Sequence, residues 1–163
     1  MIKLIRIDYR LIHGQVVFTW VNSLSLNRLI VIDDEAANDE TRKMSLKMSI
    51  PHGVKFNVFT VKDALARKNK IKNIKDNTAI IFGDVVTCLE FIQEFDSPIS
   101  EINYGGIPSK VNAKEFDKAV FLDQKEISAS LELLNLDYVI YSQQTPSTKK
   151  KVLNSLIEKE REV

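Results

Sequence analysis

Three side chains that could bind or carry a phosphoryl group stand close together near the N-terminus: Asp8, Arg10 and His13. The apolar run at residues 2–7 predicts a β-strand, and the pattern at residues 15–24 predicts an amphipathic helix. The three side chains therefore lie on a turn at the carboxyl end of a strand. Open α/β sheets place their ligands at such turns, so this segment is the first candidate for a functional site.

The chemistry that these residues suggest is nucleophilic attack on a phosphoryl group. A neutral imidazole nitrogen of His13 can become a covalent phosphoryl carrier. Arg10 can bind phosphoryl oxygens through two parallel hydrogen bonds, and backbone N–H groups near Gly14 can donate to an anion at the helix start. Asp8 could orient Arg10 or the imidazole. Structural interpretations stay open beside these: a surface or helix-capping histidine, a surface ion pair between Arg10 and Asp8, and a loop carboxylate with no catalytic task.

Other polar candidates are weaker. The acidic cluster Asp33, Asp34 and Glu35 follows a predicted strand, where it could bind Mg²⁺ or cap the next helix; we favour capping. His52 has no partner at metal-ligand spacing and is expected to be structural or exposed. Cys88 falls within a predicted helix and is expected to be a small core residue rather than a nucleophile. No metal site is predicted.

Composition narrows the class of protein. The chain has 163 residues, 44% of them hydrophobic and 28% charged, and a formal net charge of +1. These values predict one globular domain over residues 1–163 and argue against a nucleic-acid-binding surface. A single cysteine is compatible with a reducing compartment. The N-terminus does not resemble a signal peptide, and no apolar stretch approaches the length of a membrane helix.

Apolar runs alternate with amphipathic segments, which predicts an α/β fold: a single three-layer domain with a central, mostly parallel β-sheet flanked by helices. The pair Gly105-Gly106 is a turn signal, or a place where the backbone approaches the phosphate loop, and the region after it predicts an irregular or antiparallel insertion. The predicted strands are residues 2–7, 28–33, 55–59, 78–82, 101–104, 119–122 and 137–141. The predicted helices are residues 15–24, 39–48, 61–67, 85–95 with Asp84 as N-cap, 124–135, and 147–160 with Ser147 or Thr148 as N-cap.

Residues 6–16, which read RIDYRLIHGQV, closely resemble the active-site segment of the IIB component of the mannose/fructose/sorbose family of the sugar phosphotransferase system (PTS). Residues 30–35, 39–43, 47–54, 103–107 and 141–146 are also similar to segments of that family. Three residues depart from the family pattern. Tyr9 stands where the family usually has a second Asp, and Tyr104 and Ile107 stand where Val and Met are common.

The resemblance implies the same α/β architecture and a set of roles. It implies that His13 is phosphorylated on Nδ1, as a protein-Nπ-phosphohistidine–sugar phosphotransferase requires, with Arg10 and Asp8 assisting catalysis. Arg10, Gly14 and Gln15 are then the phosphate-binding residues. Neither a cofactor nor a metal is needed, because the donor is already an activated phosphoramidate.

The resemblance also implies partners: a IIA domain or protein as phosphate donor, and membrane-embedded IIC/IID components that hold the sugar acceptor. The protein is then expected to be cytoplasmic and peripheral to the membrane through these partners. A homo-oligomer is also possible on the sequence. With a net charge near zero, local charge from Arg6 and Arg10 is expected to guide the encounters. The alternative function is a non-catalytic, receiver-like regulatory module that binds a cation at Asp33 and Asp34.

Overall fold

The computed structural model describes residues 1–162; Val163, the last residue of the predicted domain, lies outside them. A seven-stranded sheet forms its centre, and a two-stranded hairpin lies beside it. The strands are β1 (Ile2–Asp8), β2 (Arg28–Ile32), β3 (Lys55–Phe59), β4 (Thr78–Phe82), β5 (Glu101–Gly106), β6 (Lys114–Asp117), β7 (Val120–Leu122), β8 (Val139–Ser142) and β9 (Lys151–Val152). The order in the sheet is β3-β2-β4-β1-β5-β8-β9, and β6 pairs with β7.

Helices cover both faces of this sheet. They are α1 (Gly14–Leu24), α2 (Asp34–Ala37), α3 (Glu40–Met48), α4 (Val61–Ala66), α5 (Lys68–Lys72), α6 (Val85–Ile92), α7 (Gln124–Asn135) and α8 (Asn154–Glu158), followed by a 3₁₀ turn at Lys159–Glu162. One apolar cluster joins the sheet to α1, α2 and α3, and the other joins it to α4 through α8. The three-layer, mostly parallel α/β fold is therefore confirmed.

The sequence explains the central strands. All five residues of β4 are buried, and Ala, Ile and Phe fill most of its positions. A parallel strand with both faces covered reads as such a continuous apolar run. Strand β1 lies between β4 and β5 and pairs in parallel with both. The polar side chains in the second half of β1, Arg6 and Asp8, are therefore buried at the centre of the molecule, whereas Lys3 near its start is exposed.

The positions of α1 and α6 define where a ligand can enter. Strands β1 and β4 are neighbours, but α1, which follows β1, packs on one face of the sheet, and α6, which follows β4, packs on the other. The segments that follow β1 and β4 therefore diverge beyond the carboxyl ends of these strands. Such a divergence creates the crevice in which open α/β sheets bind ligands.

Two local predictions are confirmed. Residues 114–122 form the antiparallel hairpin β6-β7, which is the insertion expected after the two glycines. Asp84 caps α6, because its Oδ1 accepts a hydrogen bond of 2.8 Å from the Thr87 N–H.

The predicted helix at residues 147–160 is wrong in its first half. Lys151–Val152 forms β9, antiparallel to β8, and the helix begins only at Asn154. The physical reason is the edge of the sheet, where β8 would otherwise expose its backbone. The Leu153 N–H donates to the Ile140 carbonyl at 2.8 Å, and Asn154 Oδ1 accepts from the Ile140 N–H at 2.8 Å. Pairing with β8 thus outweighs helix formation in this segment.

Cys88 lies in α6 and is fully buried in the core, as the sequence predicts. Burial raises the pKa of its thiol, so the reactive thiolate is disfavoured. We expect a thiol reagent to modify the folded protein only at the rate of unfolding, and the urea-unfolded protein at once. Spectrophotometric thiol titration measures both rates, and rapid modification in native buffer would contradict the assignment of Cys88 to the core.

Candidate functional site

The turn between β1 and α1 places His13 at the surface. The residue occupies the N-cap position of α1 with extended backbone angles, φ −119° and ψ 112°, and its side chain makes no capping hydrogen bond. The imidazole is exposed, whereas the preceding residues Leu11 and Ile12 are buried. A loop anchored by two buried side chains therefore presents an exposed imidazole at the carboxyl end of β1.

The first turn of α1 suits an anion. The first N–H groups of a helix lack partners within it and carry a partial positive charge. In α1 no side chain caps them, and no acidic residue lies in the first turn. Gly14 and Gln15 are exposed, and a Cβ atom at Gly14 would have no neighbour within 4 Å. Two of the three predicted phosphate-binding residues, Gly14 and Gln15, thus follow His13 directly and are open to solvent.

Asp8 is the centre of the polar network behind this turn. The residue is only 1% exposed. Its Oδ1 accepts hydrogen bonds from the Arg10 N–H at 3.0 Å and from Arg10 Nε at 3.2 Å. Its Oδ2 accepts from Arg10 Nη2 and from Arg6 Nη2, both at 3.2 Å. Asp8 thus orients Arg10, as one of the predictions from sequence proposed, and its contacts are with the two arginines.

Arg6 is buried in this network, which the sequence analysis did not predict. It is 2% exposed, so it cannot guide a partner at the surface, and that expectation is wrong. Its Nη1 donates to the Asn103 side chain and, at 3.0 Å, to the Gln143 carbonyl. The guanidinium also lies over the ring of Trp20, 5.7 Å from its centroid. The sequence contained a signal for this buried pair. Arg6 and Asp8 are two residues apart in a predicted apolar strand, so their side chains share one face of it.

Electrostatics leave this cluster positive. Burial lowers the pKa of Arg6, but the neighbouring Asp8 opposes that shift. The hydrogen bond to Asp8 raises the pKa of Arg10. Both guanidinium groups stay charged at any physiological pH, while a single carboxylate faces them. The side chain of Arg10 keeps 30% of its surface exposed, so the excess positive charge is presented on the outer side, where an anion can meet it.

Gly105 and Gly106 are the last residues of β5 rather than a tight turn. A Cβ atom at Gly105 would overlap the guanidinium of Arg6, and one at Gly106 would lie 3.0 Å from Asp8 Oδ1. The absence of side chains here makes room for the buried ion pair. The tight-turn interpretation is therefore wrong, whereas the backbone does approach the predicted phosphate loop: the Gly106 carbonyl accepts a hydrogen bond of 2.9 Å from the Tyr9 N–H.

Leu11 holds the loop from its other end. Its N–H donates to the Asp8 carbonyl at 2.9 Å, and its side chain is buried at 1% exposure among residues of the α1 face. In this turn Leu11 adopts a left-handed backbone conformation, φ 62°, which is uncommon for a bulky residue. The burial of Leu11 therefore stabilises the turn that carries His13.

Two members of the acidic cluster after β2 accept hydrogen bonds from backbone N–H groups in the first turns of helices. Asp33 Oδ2 accepts from the Ala36 N–H at 2.9 Å, and Asp34 Oδ1 accepts from the Val61 N–H at 2.8 Å. The predicted capping role is confirmed for Asp33. Over residues 1–162, no group of three or more His, Cys, Asp or Glu side chains is arranged to hold a metal ion. The structure offers no support for the alternative cation site at Asp33 and Asp34.

Comparison with known proteins agrees with this geometry. The family described as "PTS system sorbose subfamily IIB component" matches residues 2–163. The chain belongs to this family of IIB components. This IIB component therefore acts in phosphoryl transfer during sugar uptake, as a sugar phosphotransferase. Within the described part of the chain, no helix combines the length and apolarity that a membrane span requires.

Relatives with names from the same system match most of the IIB component. The sorbose-specific EIIB component of Lacticaseibacillus casei is 32% identical over 83% of this chain and 82% of its own length. The mannose-specific EIIAB component of Escherichia coli K12 is 34% identical over 82% of this chain, which corresponds to 41% of that protein.

Solved structures show the same fold. The IIB domain of the sorbose permease from Klebsiella pneumoniae superposes with a TM-score of 0.86 at 29% identity and covers 100% of this chain and 98% of that one. The manxB protein of Thermoanaerobacter tengcongensis superposes with a TM-score of 0.86 at 32% identity, and the match covers 98% of this chain and 96% of that one.

The buried position of Asp8 generates a stability prediction. Asp8→Asn removes the charge that both arginines face, and we expect the free energy of unfolding to fall by about 3 kcal/mol, since breaking a buried ion pair strands the remaining charge. Urea denaturation followed by circular dichroism measures the loss. Asp76→Asn is the matched control: Asp76 also pairs with two cations, Arg28 and Lys55, but at the solvent-exposed surface. A larger loss for Asp76→Asn than for Asp8→Asn would contradict the central role of Asp8.

Proposed function

We propose that this IIB component carries a phosphoryl group on Nδ1 of His13. The observation that supports this most directly is the exposed imidazole at the uncapped start of α1, on the same turn as an arginine that a buried carboxylate holds in place. A phosphohistidine of a IIA partner is the donor. Its phosphorus–nitrogen bond breaks as the bond from phosphorus to His13 Nδ1 forms, His13 loses the proton on Nε2, and the donor imidazole gains a proton as it leaves. In the second transfer a sugar hydroxyl oxygen attacks the phosphorus as the bond from phosphorus to Nδ1 breaks, and the hydroxyl proton balances the one that the departing imidazole gains to leave neutral.

Each side chain then has a distinct task. Phosphoryl transfer depends mainly on positioning and on stabilising the charge of the transferred group. Arg10 binds the phosphoryl oxygens through the exposed part of its guanidinium, and the N–H groups at Gly14 and Gln15 donate to them from the helix start. Asp8 keeps Arg10 in place. Since the donor is a high-energy phosphoramidate, the scheme uses neither a nucleotide nor a metal.

The same scheme defines the partners. His13 must face a IIA donor and then the sugar that IIC/IID membrane components hold, so both partners approach the same crevice and exclude one another. A tight complex would block turnover, and transient encounters of this kind suit a small interface. We propose a cytoplasmic location for the IIB component, peripheral to the membrane through these subunits. Arg10 remains as a local charge that can guide the encounters, because Arg6 is buried.

Two substitutions test which residue is the acceptor. We expect His13→Ala to abolish phosphate uptake from phosphoenolpyruvate in the presence of the general phosphotransferase proteins and a IIA partner, while the fold is kept, because an exposed loop side chain contributes little packing. ³¹P NMR and acid lability of the bound phosphate identify a phosphohistidine. Cys88→Ser is the control and should be labelled like the wild type. Labelling of His13→Ala at the wild-type level would refute the assignment.

A further substitution tests the role of Arg10. Arg10→Ala should slow phosphate uptake by about 10²-fold, the usual effect of removing one donor to a transition-state oxyanion. Arg10→Lys should recover only part of the rate, since lysine keeps the charge but lacks the planar fork. Single-turnover quench kinetics with phosphorylated IIA measure these rates. An unchanged rate for Arg10→Ala would show that the arginine only pairs with Asp8.

A further inference from the structure

We propose that Arg6 is a positioning residue for the transfer reaction, which acts on Arg10 through Asp8, and that position 105 is glycine because the Arg6 guanidinium occupies the space of a side chain there. This inference rests on the proposed function of His13. It adds two residues from the interior of the protein, neither of which touches the phosphoryl group.

Because Arg6 is buried, it can affect the phosphoryl group only through other residues. At 2% exposure its guanidinium cannot reach a phosphoryl group at the surface. It contacts only one of the active-site side chains, Asp8, whose Oδ2 accepts from both Arg6 Nη2 and Arg10 Nη2. The carboxylate is thus held between an inner arginine and an outer one. The position of the inner guanidinium determines where the carboxylate, and hence Arg10, can lie.

The position of Arg6 is in turn set by elements outside the N-terminal motif. Nη1 is held by the Asn103 side chain on β5 and by the Gln143 carbonyl after β8. Asn103 Nδ2 donates to the same carbonyl at 3.1 Å. Trp20 on α1 lies against the guanidinium, and its Nε1 donates to the Gln144 carbonyl at 3.0 Å. Strand β5, the segment after β8 and helix α1 therefore converge on one side chain.

Gly105 supplies the room. The ideal Cβ position at this residue overlaps three guanidinium atoms of Arg6, namely Cζ, Nη1 and Nη2. Arg6 cannot retreat easily, because its hydrogen bonds to Asn103, Gln143 and Asp8 fix both ends of the guanidinium. An alanine at 105 must displace it, and the displacement passes through Asp8 to Arg10. A lysine at position 6 fits the space but has no planar fork with which to bridge these partners.

The test is single-turnover phosphorylation of the IIB component by phosphorylated IIA, with the rate measured across a range of IIA concentrations. We expect Arg6→Lys and Gly105→Ala to lower the plateau rate by about 10²-fold, because a displacement of about 1 Å at a reacting group has an effect of this size. The IIA concentration at half-maximal rate should stay nearly the same, since both substitutions lie in the interior and keep the net charge of the arginine–aspartate cluster. His13 should still be labelled to the wild-type extent at long times.

The control for lost stability is Gly53→Ala. Gly53 has a φ of +84° in an exposed turn, so alanine is strained there without touching the site, and its plateau rate should equal that of the wild type. If Arg6→Lys is poorly folded, Gly105→Ala carries the test alone. Added guanidinium should raise the plateau rate of Arg6→Ala, whereas urea, its neutral analogue of similar shape, should not.

The outcomes separate this inference from the proposed function. Wild-type plateau rates in both Arg6→Lys and Gly105→Ala, with His13 labelled, would overturn the positioning role and leave the function of His13 intact. Loss that appears only as weaker binding of IIA would overturn it as well. Failure of the wild-type protein to be labelled on His13 would overturn the proposed function and this inference together.

Discussion

Two arginines share one buried carboxylate, that of Asp8, at the end of the central strand. Removing such charges from water is costly, and the pairing offsets that penalty only when the geometry is good and the remaining donors are satisfied. Here Arg6 is satisfied by β5 and by the segment after β8, and Arg10 turns its outer side to solvent. The site therefore carries a fixed positive charge whose orientation does not depend on a flexible side chain alone.

The fold makes this arrangement possible by placing β1 between β4 and β5. A central position buries the inner part of the ion pair, and the divergence of α1 and α6 opens a crevice above the outer part. The turn that follows is held at both ends, by Asp8 at its start and by buried Leu11 near its end. His13 is thus exposed on an anchored turn, an arrangement that suits the proposed carrier role.

Much of the architecture could be predicted because its signals are local. Continuous apolar runs mark strands that are covered on both faces, and β3, β4 and α7 have the predicted bounds. The prediction of a helix at residues 147–160 failed because helix formation there competes with pairing to the edge of β8, and nothing in the segment itself reveals that edge. The short helix α2 was not predicted either, although its cap, Asp33, was assigned correctly.

The sequence by itself determined the turn to which the proposed chemistry is assigned. Asp8, Arg10 and His13 lie within one short segment, and the hydrogen bonds that Asp8 accepts from Arg10 and Leu11 join residues two or three positions apart, so residue types and spacing are enough to indicate them. Only the tertiary structure decided why Asp8 is held where it is. Arg6 meets Asn103 and Gly105 about a hundred positions along the chain, and Gln143 still farther on. Those contacts depend on which strand lies beside β1 and in which register, and local pattern carries no information about either.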